Sequence, residues 1–225
     1  MRKRTISIPN NKNFEIFILS IVLLITILFW NSIIIFPIKL LVIFLHEISH
    51  ALAVIFTGGN VISFDIFLDL SGGVVSENGN EFFIASAGYL GSLIFGLLIF
   101  ISPNGKLRVI IPTILSALII LFTANFLKDG ITIAYLFGFA VLFFVSPKYF
   151  NKQLNNWIMK IIGLIASIYI VLDIKEDLLT LVYRETDTQK LEMITNVPAI
   201  FWGLLWFVIT IGGISFTLWW NYKKS

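Results

Sequence analysis

Two histidines and a glutamate, His46, Glu47 and His50, sit close together in the apolar run from Leu45 to Gly59, "LHEISHALAVIFTGG". Residues four apart on a helix lie one turn apart on one face, so both imidazoles aim at one spot with Glu47 beside them. This H-E-x-x-H spacing suits Zn²⁺: two ring nitrogens bind the ion, and the glutamate takes the proton from a water that the ion activates. They are the only 2 histidines among 225 residues. An ionisable side chain at the centre of a bilayer costs about 2.5–3.5 kcal/mol, which a bound dication offsets. The bland alternative, two structural histidines bonding across helices with the glutamate in water, leaves the coincidence of three residues unexplained.

A catalytic zinc site needs a third protein ligand and one open position. The chain has no cysteine and no further histidine, which leaves a carboxylate or, less favourably, an amide. Within or near the apolar spans the candidates are Asp129, Asp173, Glu176 and Asp177. Depth separates them, because the second, fourth and sixth spans of the chain run in the same direction. At about 1.5 Å per residue, His46 and His50 lie roughly 12 and 18 Å into their span, and Asp173 roughly 24 Å into its own. Asp129 and Asp177 come out near roughly 30 Å. Asp173 fits best; Asp177 and Asp129 remain alternatives, and Asp177 also reads as a solvated carboxylate at a helix end.

The elements that carry these residues follow from composition. Hydrophobic residues make up 58% of the chain and charged ones 13%, against about 25% charged in an average soluble domain; the mean hydropathy is +0.94. Only helices or closed barrels satisfy the backbone in lipid, and the apolar runs are too continuous for the alternation of barrel strands. The expectation is an all-α polytopic membrane protein forming one domain over residues 1–225, with spans near 14–36, 38–57, 82–101, 108–127, 131–146, 157–182 and 199–220. Pro37 divides the first two so tightly that an antiparallel helical hairpin is expected. The basic start "MRKRTISIPNNK" lacks a small-residue cleavage site, so it reads as the flank of an uncleaved first span and favours a cytoplasmic N-terminus. "SPNGKLR" and "SPKYFNKQLNN" read as loops.

One stretch departs from helical periodicity. In residues 60–81, Ile62, Phe64, Ile66, Leu68 and Leu70 alternate with Val61, Ser63, Asp65, Phe67 and Asp69, and "SGG" follows as a turn before "VVS". That pattern predicts a surface β-hairpin directly after the histidine span. In the next span Gly88, Ser92 and Gly96 recur every four residues, the signature of close helix packing. Asn125 reads as a structural amide or a group that orients substrate.

Several function classes drop out. The net charge of +3 comes from Lys and Arg at segment ends rather than from one patch, which argues against nucleic acid. Ala53 and Phe56 stand where a metzincin needs glycine and histidine. Ser-His-Asp and Cys-His catalysis have no residues left to use. A transporter or channel wants polar groups along a whole path, and here they cluster at one depth.

The ordered series "HEISHALAVIFTGGNV", "SGGVV", "FIASAGYLGSLIFG", "LDIKEDLL" and "TDTQKLEMITNVPAIFWGLLW" spans most of residues 45 to 210. It resembles the site-2-protease-like membrane zinc metallopeptidases, in particular their small B-like branch. The resemblance implies a multi-span bundle, zinc held by His46 and His50, Glu47 as catalytic base, and an aspartate of a later helix as third ligand. The chain departs from the L-D-G motif of the better-studied branch, carrying "KDG" at 128–130 and "LDI" at 172–174. The aspartate-rich segment of the B-like branch is similar to "LDIKEDLL", which favours Asp173. The expected function is an intramembrane zinc metalloprotease of a multi-pass membrane protein, acting on membrane-protein or peptide substrates in the lipid bilayer. The alternative is a non-catalytic, metal-binding regulator or scaffold.

Overall fold

The computed structural model describes residues 12–179 and 186–224. The elements in chain order are α1 (Lys12–Leu28), α2 (Phe36–Phe56), β1 (Asn60–Ile66), β2 (Gly72–Glu77), α3 (Glu81–Ile101), α4 (Leu107–Phe126), α5 (Gly130–Tyr149), α6 (Lys152–Leu179), α7 (Asp187–Thr195) and α8 (Ala199–Lys224). Six of the helices, α2 to α6 and α8, are long and apolar enough to cross a membrane. The chain is an integral, multi-pass membrane protein.

The expected first span is shorter than its apolar run. Helix α1 ends at Leu28, and residues 29 to 35 turn before Pro37, in the first turn of α2, restarts the helix. The antiparallel pairing of α1 with α2 is not what the structure shows. Instead α1 lies on α6: Leu19 packs with Phe100, Leu164 and Ile168, and Lys160 of α6 donates to Glu15. Asn221 of α8 donates to the same carboxylate at 3.0 Å. A charge that deep needs a partner, and α6 and α8 supply it. Of "SPKYFNKQLNN", expected to be a loop, only residues 150 and 151 lie outside helices: α5 runs to Tyr149, and α6 starts at Lys152, where Asn151 accepts from the Leu154 amide at 2.7 Å.

Helix α2 is the centre of the bundle. Leu40, Leu41, Phe44, Leu45, Ile48 and Ala51 are all buried on it, whereas α8 turns much of its surface outward. A helix buried all round reads as apolar all round, which is why His46, Glu47 and His50 stand out on it.

The strands β1 and β2 pair antiparallel, with Phe64 opposite Val74 and Ile66 opposite Gly72. The expected hairpin is present, and the structure corrects one of its details. Its turn lies at Phe67–Ser71, where the Phe67 amide donates to the Ser71 carbonyl and Leu70 takes φ 68°, so Gly72 and Gly73 belong to β2. One face of it is anchored inward, since Phe64 and Ile66 are buried, with Phe64 against Phe44 at 5.7 Å and Phe122 at 5.2 Å, while Ile62, Phe67 and Val75 stay exposed. Three aromatic rings drawn together from α2, α4 and β1 anchor one face of the hairpin to the bundle.

Candidate metal centre

The site is assembled where α2, α3, α6, α7 and the hairpin meet around a cleft of about 480 Å³. The H-E-x-x-H residues lie in the interior of α2, ten and more residues past its start, so helical geometry fixes their shared face. The imidazoles stand edge to face with ring centroids 4.8 Å apart. His50 Nδ1 lies 2.7 Å from the Ile84 carbonyl oxygen of α3. A carbonyl only accepts, so Nδ1 carries the proton and Nε2 presents a bare lone pair to the cleft, the form a metal requires.

The third acid in this cluster is Asp187. Its Oδ2 lies 3.0 Å from His46 Nε2 and 3.0 Å from His50 Nε2. The three ligand atoms fall within 4.8 Å of one another. A tetrahedron with metal bonds of about 2.0–2.1 Å has edges of about 3.3 Å, so the donors stand at near-ligand separations. Gly88 of α3 gives a second test of fit. A Cβ built there would lie 2.5 Å from Asp187 Oδ2 and 2.5 Å from His50 Nε2, with His46 Nε2 also in contact. The point on which the donors converge is kept open by the lack of a side chain. Two neutral imidazoles and one carboxylate with room between them suit Zn²⁺.

Asp187 is the first residue of α7, and local chemistry sets its place. Thr186 caps the helix: its hydroxyl accepts from the Gln189 amide, and the Gln189 side chain accepts in return from the Thr186 amide at 3.1 Å. Leu191 packs with Tyr89 and Trp206, and Trp202 of α8 donates to Thr195 at 3.1 Å, so α7 is moored to α3 and α8. Burial raises the Asp187 carboxyl, but without a metal the His50 and His46 rings, protonated at the nitrogens that face it, outweigh burial by charge and by hydrogen bonds and hold the group well below the usual carboxylate range; a bound cation would take the place of those protons.

The other sequence candidates are distributed differently. Asp173, expected as the third ligand, lies on the far side of His46, its Oδ2 4.0 Å from Nδ1 rather than among the Nε2 donors. Depth along parallel helices cannot see a ligand carried by a short helix outside the spans, which is why Asp187 escaped it. Asp129 is exposed and caps α5, accepting from the Thr132 amide at 2.7 Å; bonds to Thr132 hold its carboxyl below the usual range. The side chains of Glu176 and Asp177 lie outside the described residues. Asn125 donates to the Leu121 carbonyl of its own helix, a structural amide. The capping pattern "TDTQ" was the available sign that a helix begins at Asp187.

Glu47 is buried and shares the cleft with the donors. Strand β2 runs directly over it: a Cβ on Gly72 would lie 2.7 Å from Glu47 Oε1. The hairpin lines the cleft with Leu70, Gly72, Val74 and Ser76, and α7 lines it with Lys190, Met193 and Ile194.

A multi-span bundle with an H-E-x-x-H pair and an aspartate converging inside it defines the class of membrane metallopeptidase-like proteins. The family profile described as Peptidase M50B-like, a branch of the site-2-protease family, matches residues 18–217, and the chain belongs to that family. No curated protein and no solved structure gives a significant match.

Proposed function

We propose that this protein is an intramembrane zinc endopeptidase that hydrolyses peptide bonds of membrane-embedded substrates. The observation that carries the reading is the convergence of His46 Nε2, His50 Nε2 and Asp187 Oδ2 in one cleft with Glu47. His46, His50 and Asp187 hold the ion. Zinc, when bound, supplies the Lewis acidity that activates water and polarises the scissile carbonyl. Glu47 takes the proton of the attacking water on its carboxylate and returns it to the leaving amine. Its burial against β2 keeps it aimed at the cleft and shields it from bulk solvent.

A substrate helix hides its carbonyls in its own hydrogen bonds, so it must unwind before attack. The two-stranded sheet leaves one edge of β2 without a strand partner among the described residues, and β2 lines the cleft. An unwound segment adding to that edge arrives beside Glu47 with its carbonyls presented in register.

The test is the Glu47→Gln variant, reconstituted in bilayers with a panel of single-span substrates. Cleavage is expected to fall below detection while zinc remains stoichiometric. Unchanged turnover refutes the mechanism. Stoichiometric zinc in a wild-type protein that cleaves no substrate supports instead a non-catalytic regulator.

A further inference from the structure

The two metal-facing imidazoles are not held alike. His50 has its Nδ1 fixed on a backbone carbonyl, that of Ile84, at 2.7 Å. Among the described residues no such carbonyl stands at the Nδ1 of His46; the group facing that nitrogen is the carboxylate of Asp173, at 4.0 Å. The two nitrogens of an imidazole point away from each other. An acid at Nδ1 is therefore on the opposite edge of the ring from Asp187, which faces Nε2 at 3.0 Å. Tyr89 stands edge-on to the same ring, with centroids 5.5 Å apart, and limits its tilt.

We propose that Asp173 is the positioning residue for His46, accepting the Nδ1 proton of its ring so that Nε2 stays unprotonated and aimed at the ion. The assignment rests on the reading of the site as a zinc centre. At 4.0 Å the contact is completed by one bridging water or by a small turn of the ring. A carboxylate on the remote nitrogen fixes the tautomer, makes the ligand nitrogen more basic and limits rotation of the ring. A carbonyl partner, as at His50, does the first and third with less gain in basicity, because it carries no charge. The centre is thus asymmetric: one imidazole is held by the backbone of α3, the other by an acid of α6.

The experiment uses the full-length protein stripped of metal and titrated with Zn²⁺ against a chelating dye, and with Co²⁺ followed by its visible absorption. Asp173→Ala is expected to weaken zinc binding about 10- to 100-fold while the cobalt spectrum keeps its tetrahedral intensity. Asp173→Asn, whose amide oxygen still accepts the proton, is expected to fall between Ala and wild type. Asp187→Ala is expected to lose the tetrahedral spectrum. Wild-type zinc affinity in Asp173→Ala overturns the proposal. So does a spectrum lost in Asp173→Ala and kept in Asp187→Ala, which makes Asp173 the ligand. A purely structural role lowers the melting temperature and leaves the metal affinity of the folded protein unchanged. If Asp173→Ala does not fold, the near-isosteric Asn variant decides: wild-type affinity there, with no intermediate loss, counts against the proposal. Failure of the zinc reading has a different signature, since wild-type protein and every variant then bind cobalt without a tetrahedral spectrum.

Discussion

Replacing Gly88 by alanine puts one methyl group at the point where the metal donors converge. The new Cβ falls 2.5 Å from Asp187 Oδ2 and from His50 Nε2, against a comfortable separation of about 3.5 Å. Something must move by about 1 Å. Helix α3 has little freedom to retreat from α2, because α6 stands close behind it: Gly96 abuts Ser167, and Gly163 of α6 abuts the backbone of Phe100. The displacement therefore falls on the donors, and metal sites tolerate only about 0.2 Å. Overpacking of this kind costs about 1–3 kcal/mol, which at about 1.4 kcal/mol per tenfold is a zinc dissociation constant raised about 5- to 140-fold. The assay is competitive zinc titration alongside the melting temperature of the metal-free protein. Gly138→Ala, where a Cβ meets nothing within 4 Å, is the control and is expected to bind zinc normally. Wild-type affinity in Gly88→Ala would refute the placement of the ion between these three atoms.

Other perturbations separate the parts of the site. Gly72→Val puts a branched side chain where even a Cβ lies 2.7 Å from Glu47 Oε1; cleavage is expected to fall at least tenfold with zinc affinity near wild type, measured by turnover and titration together. Thr186→Ala removes the cap of α7 and is expected to lower stability by about 0.5–2 kcal/mol, with weaker zinc binding because Asp187 opens that helix; a melting curve and a titration check both. Zinc affinity is expected to fall as the pH is lowered, because the ligands bind the ion only when deprotonated. Asp187 is held below the usual carboxylate range, so it binds the ion without releasing a proton, and the protons released per zinc come from the imidazoles and the bound water, as calorimetry in buffers of different ionisation enthalpy reads. Glu15→Ala leaves the Lys160 ammonium buried without its carboxylate, and a melting temperature lowered by several degrees is expected; no change would deny that this ion pair anchors α1.

Much of the architecture was legible because it is written in local chemistry. Apolar runs of about 20 residues have one reading in lipid, and alternation from Ile62 to Ile66 marks β1. The four-residue spacing of His46 and His50 needs only a helix to become a site. What escaped is tertiary. Nothing in residues 12–28 says that Glu15 will find Lys160 and Asn221, so the partner of α1 was assigned to its sequence neighbour. Gly72 looked like part of a turn because glycine marks turns more often than it marks a strand that presses on a side chain. Asp187 belongs to a nine-residue helix too short and too polar for any span, and its role comes from how α7 folds back across the cleft.

That fold-back has a consequence for biosynthesis. His46 and Asp187 are 141 positions apart in the chain, so the donor set is incomplete until the ribosome has added α7. A nascent chain with α2 already inserted carries its histidines and Glu47 without the carboxylate that completes the donor set, and gains it only when α7 folds across the cleft.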